Sequence, residues 1–126
     1  MDTDRLMFFD RRPEALPLYE KLEQCILSEI PDVKIKTSKT QIGFSNKRGF
    51  AYVSFVPCRK AKERPKAWLT VTFGLEHRCA SPRIDAATEP YPNRWTHHVM
   101  VGSVEEIDDE LLGWLRQAAA FSAKKR

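Results

Sequence analysis

Two adjacent histidines at the start of a predicted strand are the residues of this chain best suited to metal or acid-base chemistry. His97 and His98 follow Arg94 and Trp95 in segment 91–99, which combines imidazole, guanidinium and indole groups. Imidazoles bind zinc when several ligands converge, but neighbouring residues of a strand point to opposite faces. The pair therefore does not predict a shared metal site. We expect His97 on the core side of the strand and His98 on the open side.

Three cations and two ring side chains are candidates for ligand binding. Lys39 lies between two predicted strands, and Arg83 and Arg94 lie in and after a proline-rich stretch. If these cations converge at one end of a sheet, they would form a site for a carboxylate or phosphate group. Alternatively, each arginine binds loop carbonyls or pairs with Glu89 or Asp85. The predicted ligand-binding residues are Lys39, Arg83, Arg94, Trp95 and His98.

No catalytic or cofactor motif accompanies these residues. The chain has five glycines and lacks a phosphate-cradling loop, a dinucleotide fingerprint and a Gly-x-Ser-x-Gly turn. Cys25, Cys58 and Cys79 contain no Cys-x-x-Cys pair, which is typical of free, reduced thiols. We therefore expect no cofactor and no metal. The sequence favours a binding domain over an enzyme, with acid-base chemistry at His98 as a further alternative.

The net charge of +4 is interpreted as the sum of two basic clusters and an acidic remainder. Residues 57–66 carry five basic residues against Glu63, and Lys124-Lys125-Arg126 forms a basic tail. These clusters contribute +4 and +3, which leaves −3 for the rest of the chain. Basic clusters can bind nucleic acid or a protein partner. The alternative function is therefore an interaction module that uses the tail and Arg59, Lys60, Lys62, Arg64 and Lys66.

The composition is that of one small globular domain. With 126 residues, of which 42% are hydrophobic and 30% charged, the chain can bury a core without disulfides. It has no apolar run long enough to cross a bilayer, and its first residues lack the basic and apolar regions of a signal peptide. We expect a single domain over residues 1–126, a basic tail at 122–126, no membrane association and a cytoplasmic location.

Hydrophobic spacing predicts two helices that flank a set of strands. One helix runs from about Pro13 to Ile30, and the other begins at a capping box formed by Ser103 and Glu106. Residues 74–93 contain three prolines and predict a long irregular connection. The element order is α-β-β-β-β-loop-β-α. The predicted fold class is α+β, with one antiparallel sheet of about five strands and both terminal helices on one face.

The face of the sheet opposite the helices is predicted to be amphipathic. Trp68, Thr70 and Thr72 alternate with apolar residues and would lie on this face with one side of the last strand. We expect this face to be either solvated or covered by the proline-rich connection.

Four short segments and the terminal helix resemble the bacterial domain-of-unknown-function 5655 family. The segments are Lys39–Ile42, Phe50–Ala51, Pro82–Ile84 and Arg94–Val99. The resemblance covers nearly the whole chain and implies no established activity. Members resembling this chain occur alone or at the end of larger bacterial proteins, some of which look like restriction or predicted transport components. The segments of the resemblance contain the candidate residues Lys39, Arg83, Arg94 and His98.

Overall fold

The computed structural model describes residues 3–124, which form one open antiparallel sheet of six strands with helices from both ends of the chain. The strand order is β1-β2-β3-β4-β6-β5. The strands are β1 (Lys34–Thr37), β2 (Gln41–Ser45), β3 (Gly49–Ser54), β4 (Leu69–Leu75), β5 (Ala86–Tyr91) and β6 (Arg94–Val101). The predicted α+β class and antiparallel sheet are confirmed, with six strands rather than about five.

Within residues 3–124 there are three α-helices, and a 3-10 turn precedes the second. The helices are α1 (Thr3–Phe8), α2 (Leu16–Glu29) and α3 (Asp109–Lys124). Helix α1 has no counterpart in the prediction, whereas α2 and its preceding turn occupy the predicted first helix. The last two residues of the predicted basic tail, Lys125 and Arg126, lie outside the described residues. None of the helices in the described part of the chain is long and apolar enough to span a membrane.

Helices α2 and α3 pack on the same side of the sheet, which we call the helix-covered face. The ring centroids of Tyr19 in α2 and Phe44 in β2 are 6.3 Å apart. Trp114 in α3 stacks on Phe73 in β4, with ring centroids 5.7 Å apart. Both helices bury residues at three- and four-residue spacing, which removes their apolar stripes from water. The core therefore lies between these helices and one face of the sheet.

Helix α3 begins at Asp109, later than the predicted capping box. Ser103 Oγ lies 3.4 Å from a carboxylate oxygen of Glu106, but these residues flank and end a separate 3-10 turn. The side chain of Asp108 caps α3 instead, because its Oδ1 accepts the backbone N–H of Leu111 at 3.1 Å. The predicted helix start is therefore wrong by one turn and a half.

Strand β5 lies within residues 74–93, where the prolines predict only irregular structure, so that prediction is wrong. β5 is the outermost strand of the sheet, and an edge strand tolerates proline because one of its sides needs no backbone donor. Pro90 lies where the pairing with β6 shifts register, between Thr88 and Tyr91. Asn93 has a positive φ of 62° in the turn to β6, a conformation that asparagine tolerates.

The second face of the sheet, which we call the open face, carries a continuous row of paired residues. Tyr52 in β3 is opposite Thr72 in β4, which is opposite His98 in β6. The row continues to Gly43 in β2 on one side and to Ala86 in β5 on the other. All five residues are half-buried. This row therefore crosses five neighbouring strands and remains partly accessible to solvent.

Candidate binding surface on the open sheet face

His97 is a core residue, as the alternation along the strand predicts. Its side chain is fully buried and stacks on Phe73, with ring centroids 5.0 Å apart and ring planes at 8°. Its Nε2 accepts the backbone N–H of Cys79 at 2.9 Å. Burial lowers the pKa of His97 below its usual value of 6.5, so the neutral ring is the stable form in the core. The residue joins the loop after β4 to the sheet.

His98 points to the open face, so the two histidines lie on opposite sides of the sheet. Its Nδ1 lies 2.8 Å from Thr72 Oγ1, and its half-buried position lowers the pKa of the ring. This separation prevents the two imidazoles from sharing one ion. Across residues 3–124, no cluster of three His, Cys, Asp or Glu side chains could hold a metal ion.

The ring of Tyr52 lies along the sheet surface towards β2, on the side of β3 away from Thr72 and His98. A Cβ atom at Gly43 would be 3.3 Å from Cδ1 and Cε1 of this ring. A Cβ atom at Gly49 would collide with the tyrosine hydroxyl group. Because the two glycines have no side chains, they leave the space that the ring occupies. The ring therefore lies flat on the sheet and forms an aromatic surface.

The basic loop, residues 57–66, covers one end of the open face. Thr70 Oγ1 donates a hydrogen bond to the carbonyl oxygen of Val56 at 2.7 Å, just before this loop. Arg59 Nε lies 2.8 Å from Asp85 Oδ1, and the loop is thereby tied to the start of β5. The other carboxylate oxygen of Asp85 accepts the backbone N–H of Met100 at 2.7 Å. The loop is therefore an ordered wall of the open face.

Trp68 and Thr70 are both buried, so this part of the open face is covered, and the cover comes from the basic loop and Arg12 rather than from the proline-rich connection. The guanidinium groups of Arg12 and Arg64 lie 4.8 Å and 5.8 Å from the centre of the Trp68 ring. Cation–π contacts of this kind shield the ring from water. Thr72 alone of the three predicted residues stays partly exposed, because the basic loop ends before it.

Two depressions flank the row formed by Tyr52, Thr72 and His98. The first has a volume of about 830 Å³ and lies on the basic loop beside the start of β5. The second has a volume of about 360 Å³ and lies over β1, β2 and β3. The first is lined by Pro57, Cys58, Arg59, Lys60, Glu63 and Asp85. The second includes Lys36, Ser38, Gln41, Gly43, Ser45 and Tyr52 among its lining residues.

Cys58 at the first depression does not have the environment of a reactive thiol. Its Sγ lies 3.9 Å from Thr70 Oγ1. Burial raises the pKa of the Cys58 thiol, which disfavours the nucleophilic thiolate form. The depression therefore offers polar and charged contacts rather than a cysteine nucleophile.

The residues predicted to bind a ligand do not lie together. Lys39 is in the β1–β2 turn, at the end of the sheet where β6 finishes. Arg94 and Trp95 begin β6 at the opposite end of the sheet. Trp95 shares the helix-covered face with His97, whereas His98 is on the open face. Arg94, four residues before His98 in β6, is also on the open face but at the first residue of the strand, so the single anion site expected from these residues is not assembled.

Arg83 has structural partners on the helical side. Its Nη1 donates to Asp108 Oδ1 at 2.8 Å and to Glu110 Oε1 at 3.1 Å. Its Nη2 donates to the carbonyl oxygen of Glu106 at 2.7 Å. These contacts join the proline-rich segment to the start of α3. They agree with the alternative that this arginine binds carbonyls and carboxylates of the protein, although the acids are not the expected Glu89 and Asp85.

Comparison with known proteins places the chain in one family. Residues 7–122 match the family described as Domain of unknown function (DUF5655). The chain belongs to this family. The resemblance predicted from the sequence is thereby confirmed, and the family description assigns no activity. No curated protein and no solved structure matches the chain.

The sequence of this DUF5655 domain also contains a basic segment that is longer than the two basic clusters identified from the sequence. Between Asp32 and Glu63 there are eight Lys or Arg residues and no Asp or Glu. This segment forms β1, β2, β3 and the first half of the basic loop. Its charge of +8 leaves −4 for the rest of the chain, whose total is +4. Positive charge is therefore concentrated in β1, in the turns that join β1, β2 and β3, and in the loop, with Lys34 and Lys36 the members that lie in a strand.

Proposed function

We propose that this protein is a small cytoplasmic binding domain that holds a planar, negatively charged ligand on the open face of its sheet. The observation that carries the proposal is the row of Tyr52, Thr72 and His98 on adjacent strands. Rings and hydroxyl groups in such a row offer stacking and hydrogen bonds to a flat molecule. The three unpaired cysteines favour a reducing compartment such as the cytoplasm.

His98 would contribute a directed hydrogen bond rather than a charge. The contact between its Nδ1 and Thr72 Oγ1 fixes the orientation of the ring and leaves Nε2 for a ligand. Because burial lowers the pKa of His98, the imidazole is neutral near neutral pH. An oriented neutral ring of this kind can stack on or hydrogen-bond to a planar group.

A cation on either side of the row would supply attraction for a negative group. Lys36 lines the depression over β1, β2 and β3, and Lys60 lines the depression on the basic loop. Arg59 is partly neutralised by Asp85, with which it forms an ion pair. Glu63 lines the same depression as Lys60, so Lys36, which lines a depression with Tyr52, is the main source of uncompensated positive charge on the open face.

Use of the basic loop as a separate interaction module has less support. Arg59 is held by Asp85, and Arg64 packs near Trp68. These two cations of the loop serve to fix its position on the sheet, which leaves Lys60, Lys62 and Lys66 for a partner. Association with a partner through the loop and the tail stays an alternative prediction. It differs from binding on the open face because it would be lost when the lysines and arginine of the tail are neutralised.

A thermal-shift experiment tests the proposal with three probes. Inorganic phosphate, benzoate and adenosine monophosphate separate the contributions of charge and ring. We expect the two planar anions to raise the melting temperature more than phosphate does, because a ligand that binds only the folded state stabilises it by mass action. At a concentration of about 100 times Kd, the stabilisation is about 2.7 kcal/mol.

Matched variants locate the site. Tyr52→Ala and His98→Ala should reduce the shift produced by planar anions. Arg94→Ala, which removes a cation at another part of the sheet, should leave that shift unchanged. The proposal is overturned if neither planar anion raises the melting temperature, or if Arg94→Ala reduces the shift as much as His98→Ala does.

A further inference from the structure

We infer that the planar anion bound by the open face is part of a single-stranded nucleic acid that runs across the strands from β1 towards the basic loop. This inference rests on the proposed function, because it uses the same face and the same row of side chains. It adds the class of ligand and a path for the ligand over the protein.

The charge on the β1 side of the sheet matches a polyanion. Lys34 and Lys36 alternate with core residues in β1, and the pairing of Lys36 with Gly43 places both lysines on the open face. Both are exposed, and neither forms an ion pair with a carboxylate of residues 3–124. These lysines belong to the segment of eight basic residues that contains no acid. Phosphate groups passing over β1 would meet uncompensated positive charge.

The separation of the basic groups favours a chain of phosphates over one small anion. Lys36 is on β1, whereas Arg59 and Lys60 lie beside the end of β6 and the start of β5. Four strand spacings separate β1 from β6, which corresponds to about 19 Å at 4.8 Å per spacing. A single planar anion would reach the cations on one side of the row, whereas a polymer would reach both sides.

Tyr52 lies between these two groups of cations and provides a surface for a base. Its ring occupies the space above Gly43 and Gly49, so it is held along the sheet rather than extended into solvent. Aromatic side chains on sheet surfaces stack bases of single strands in several nucleic-acid-binding folds. The neighbouring Thr72 and His98 add hydrogen-bonding groups in the same row.

A single strand fits these features better than a duplex does. In a duplex the bases are already stacked on each other, so their faces cannot lie on a tyrosine ring without local opening. The open face offers a stacking ring and flanking cations, which is the combination by which proteins bind single strands with little sequence preference. We therefore expect binding that depends on strandedness and salt more than on base identity.

Fluorescence anisotropy with a labelled oligothymidylate of about ten nucleotides tests this inference on the full chain. We expect the single strand to bind more tightly than the matching duplex and more tightly than adenosine monophosphate. Tyr52→Ala should lower the affinity about tenfold, as expected for loss of one stacked base. Tyr52→Phe keeps the ring and should restore most of that affinity.

The charge is tested by changing Lys34 and Lys36 together to Gln. Each phosphate contact on a single strand contributes about −0.7 to the slope of log K against log salt concentration, so the double variant should reduce the magnitude of the slope by about 1.4. Lys21→Gln, a change at an exposed position of α2, is the matched control and should leave the slope unchanged.

The outcomes separate this inference from the proposed function. If adenosine monophosphate binds and the oligothymidylate binds no more tightly, the nucleic-acid inference is overturned and the proposed function stands. If none of the planar anions or the strand binds, both are overturned. Equal binding of duplex and single strand contradicts the inference. The inference is also contradicted if binding of the single strand survives the change of Lys34 and Lys36 but is lost when Lys124, Lys125 and Arg126 are changed to Gln.

Discussion

Removal of the Asp85 carboxylate should release the basic loop from the sheet. This side chain accepts the N–H of Met100 at 2.7 Å and pairs with Arg59 at 2.8 Å. The backbone N–H of Asp85 donates to the carbonyl oxygen of His98 at 2.9 Å. Asp85, the residue before β5, thus extends the hydrogen bonding between β5 and β6 by one residue. The variant Asp85→Ala removes both side-chain contacts and retains the backbone contact.

The expected cost follows from these two contacts. Met100 is buried, so its N–H would lose its partner in a site with little water, at a cost of about 1–3 kcal/mol. The ion pair is partly exposed, with side-chain exposures of 29% for Arg59 and 16% for Asp85, and contributes about 0.2–1 kcal/mol. We therefore expect Asp85→Ala to lower the free energy of unfolding by about 1–4 kcal/mol.

Urea denaturation followed by tryptophan fluorescence measures this change. Asp85→Asn keeps an oxygen that can accept from Met100 and should cost less than Asp85→Ala, because only the charge on Arg59 loses its partner. Asp10→Ala, at an exposed position, is the control for loss of a carboxylate. The reasoning is refuted if Asp85→Ala unfolds at the same urea concentration as the wild type, or if the Asn and Ala variants are equally destabilised.

Two further predictions concern the loop and the histidines. Gly102→Ala should lower the melting temperature, because its Cβ would collide with Pro65 of the basic loop and overpacking costs about 1–3 kcal/mol. Gly74→Ala is the control, because a Cβ atom at Gly74 would lie 3.9 Å from the nearest atom. Equal melting temperatures of the two variants would contradict the prediction. Burial lowers the pKa of His97 and His98 below 6.5, so the unfolded chain binds more protons below that pH. The free energy of unfolding should therefore fall as the pH drops below 6.5, and a urea midpoint independent of pH between about 7.5 and 5 would exclude this effect.

The course of the chain through its sheet follows largely from local patterns in the sequence. The alternation in β6 correctly separates His97 from His98, because side-chain direction depends only on neighbouring residues. The same local reasoning fails for β5. Proline is excluded from interior strands but is tolerated in edge strands. Whether a strand lies at an edge depends on its pairing with strands that are distant in the sequence.

The candidate site depends even more on distant pairing. Tyr52, Thr72 and His98 become neighbours because β4 pairs with both β3 and β6, and no local pattern specifies that order. The same order places Lys39 and Arg94 at opposite ends of the sheet. The absence of acidic residues between Asp32 and Glu63, in contrast, is visible in the sequence and identifies the basic half of the sheet.

Amide chemical shifts of the labelled protein, recorded during titration with adenosine monophosphate, test the use of the open face most directly. If a planar anion binds there, the largest changes will occur at Gly43, Tyr52, Thr72 and His98, which form one row across the strands. Changes confined to the region around Arg83, or no change at millimolar nucleotide, would contradict the account.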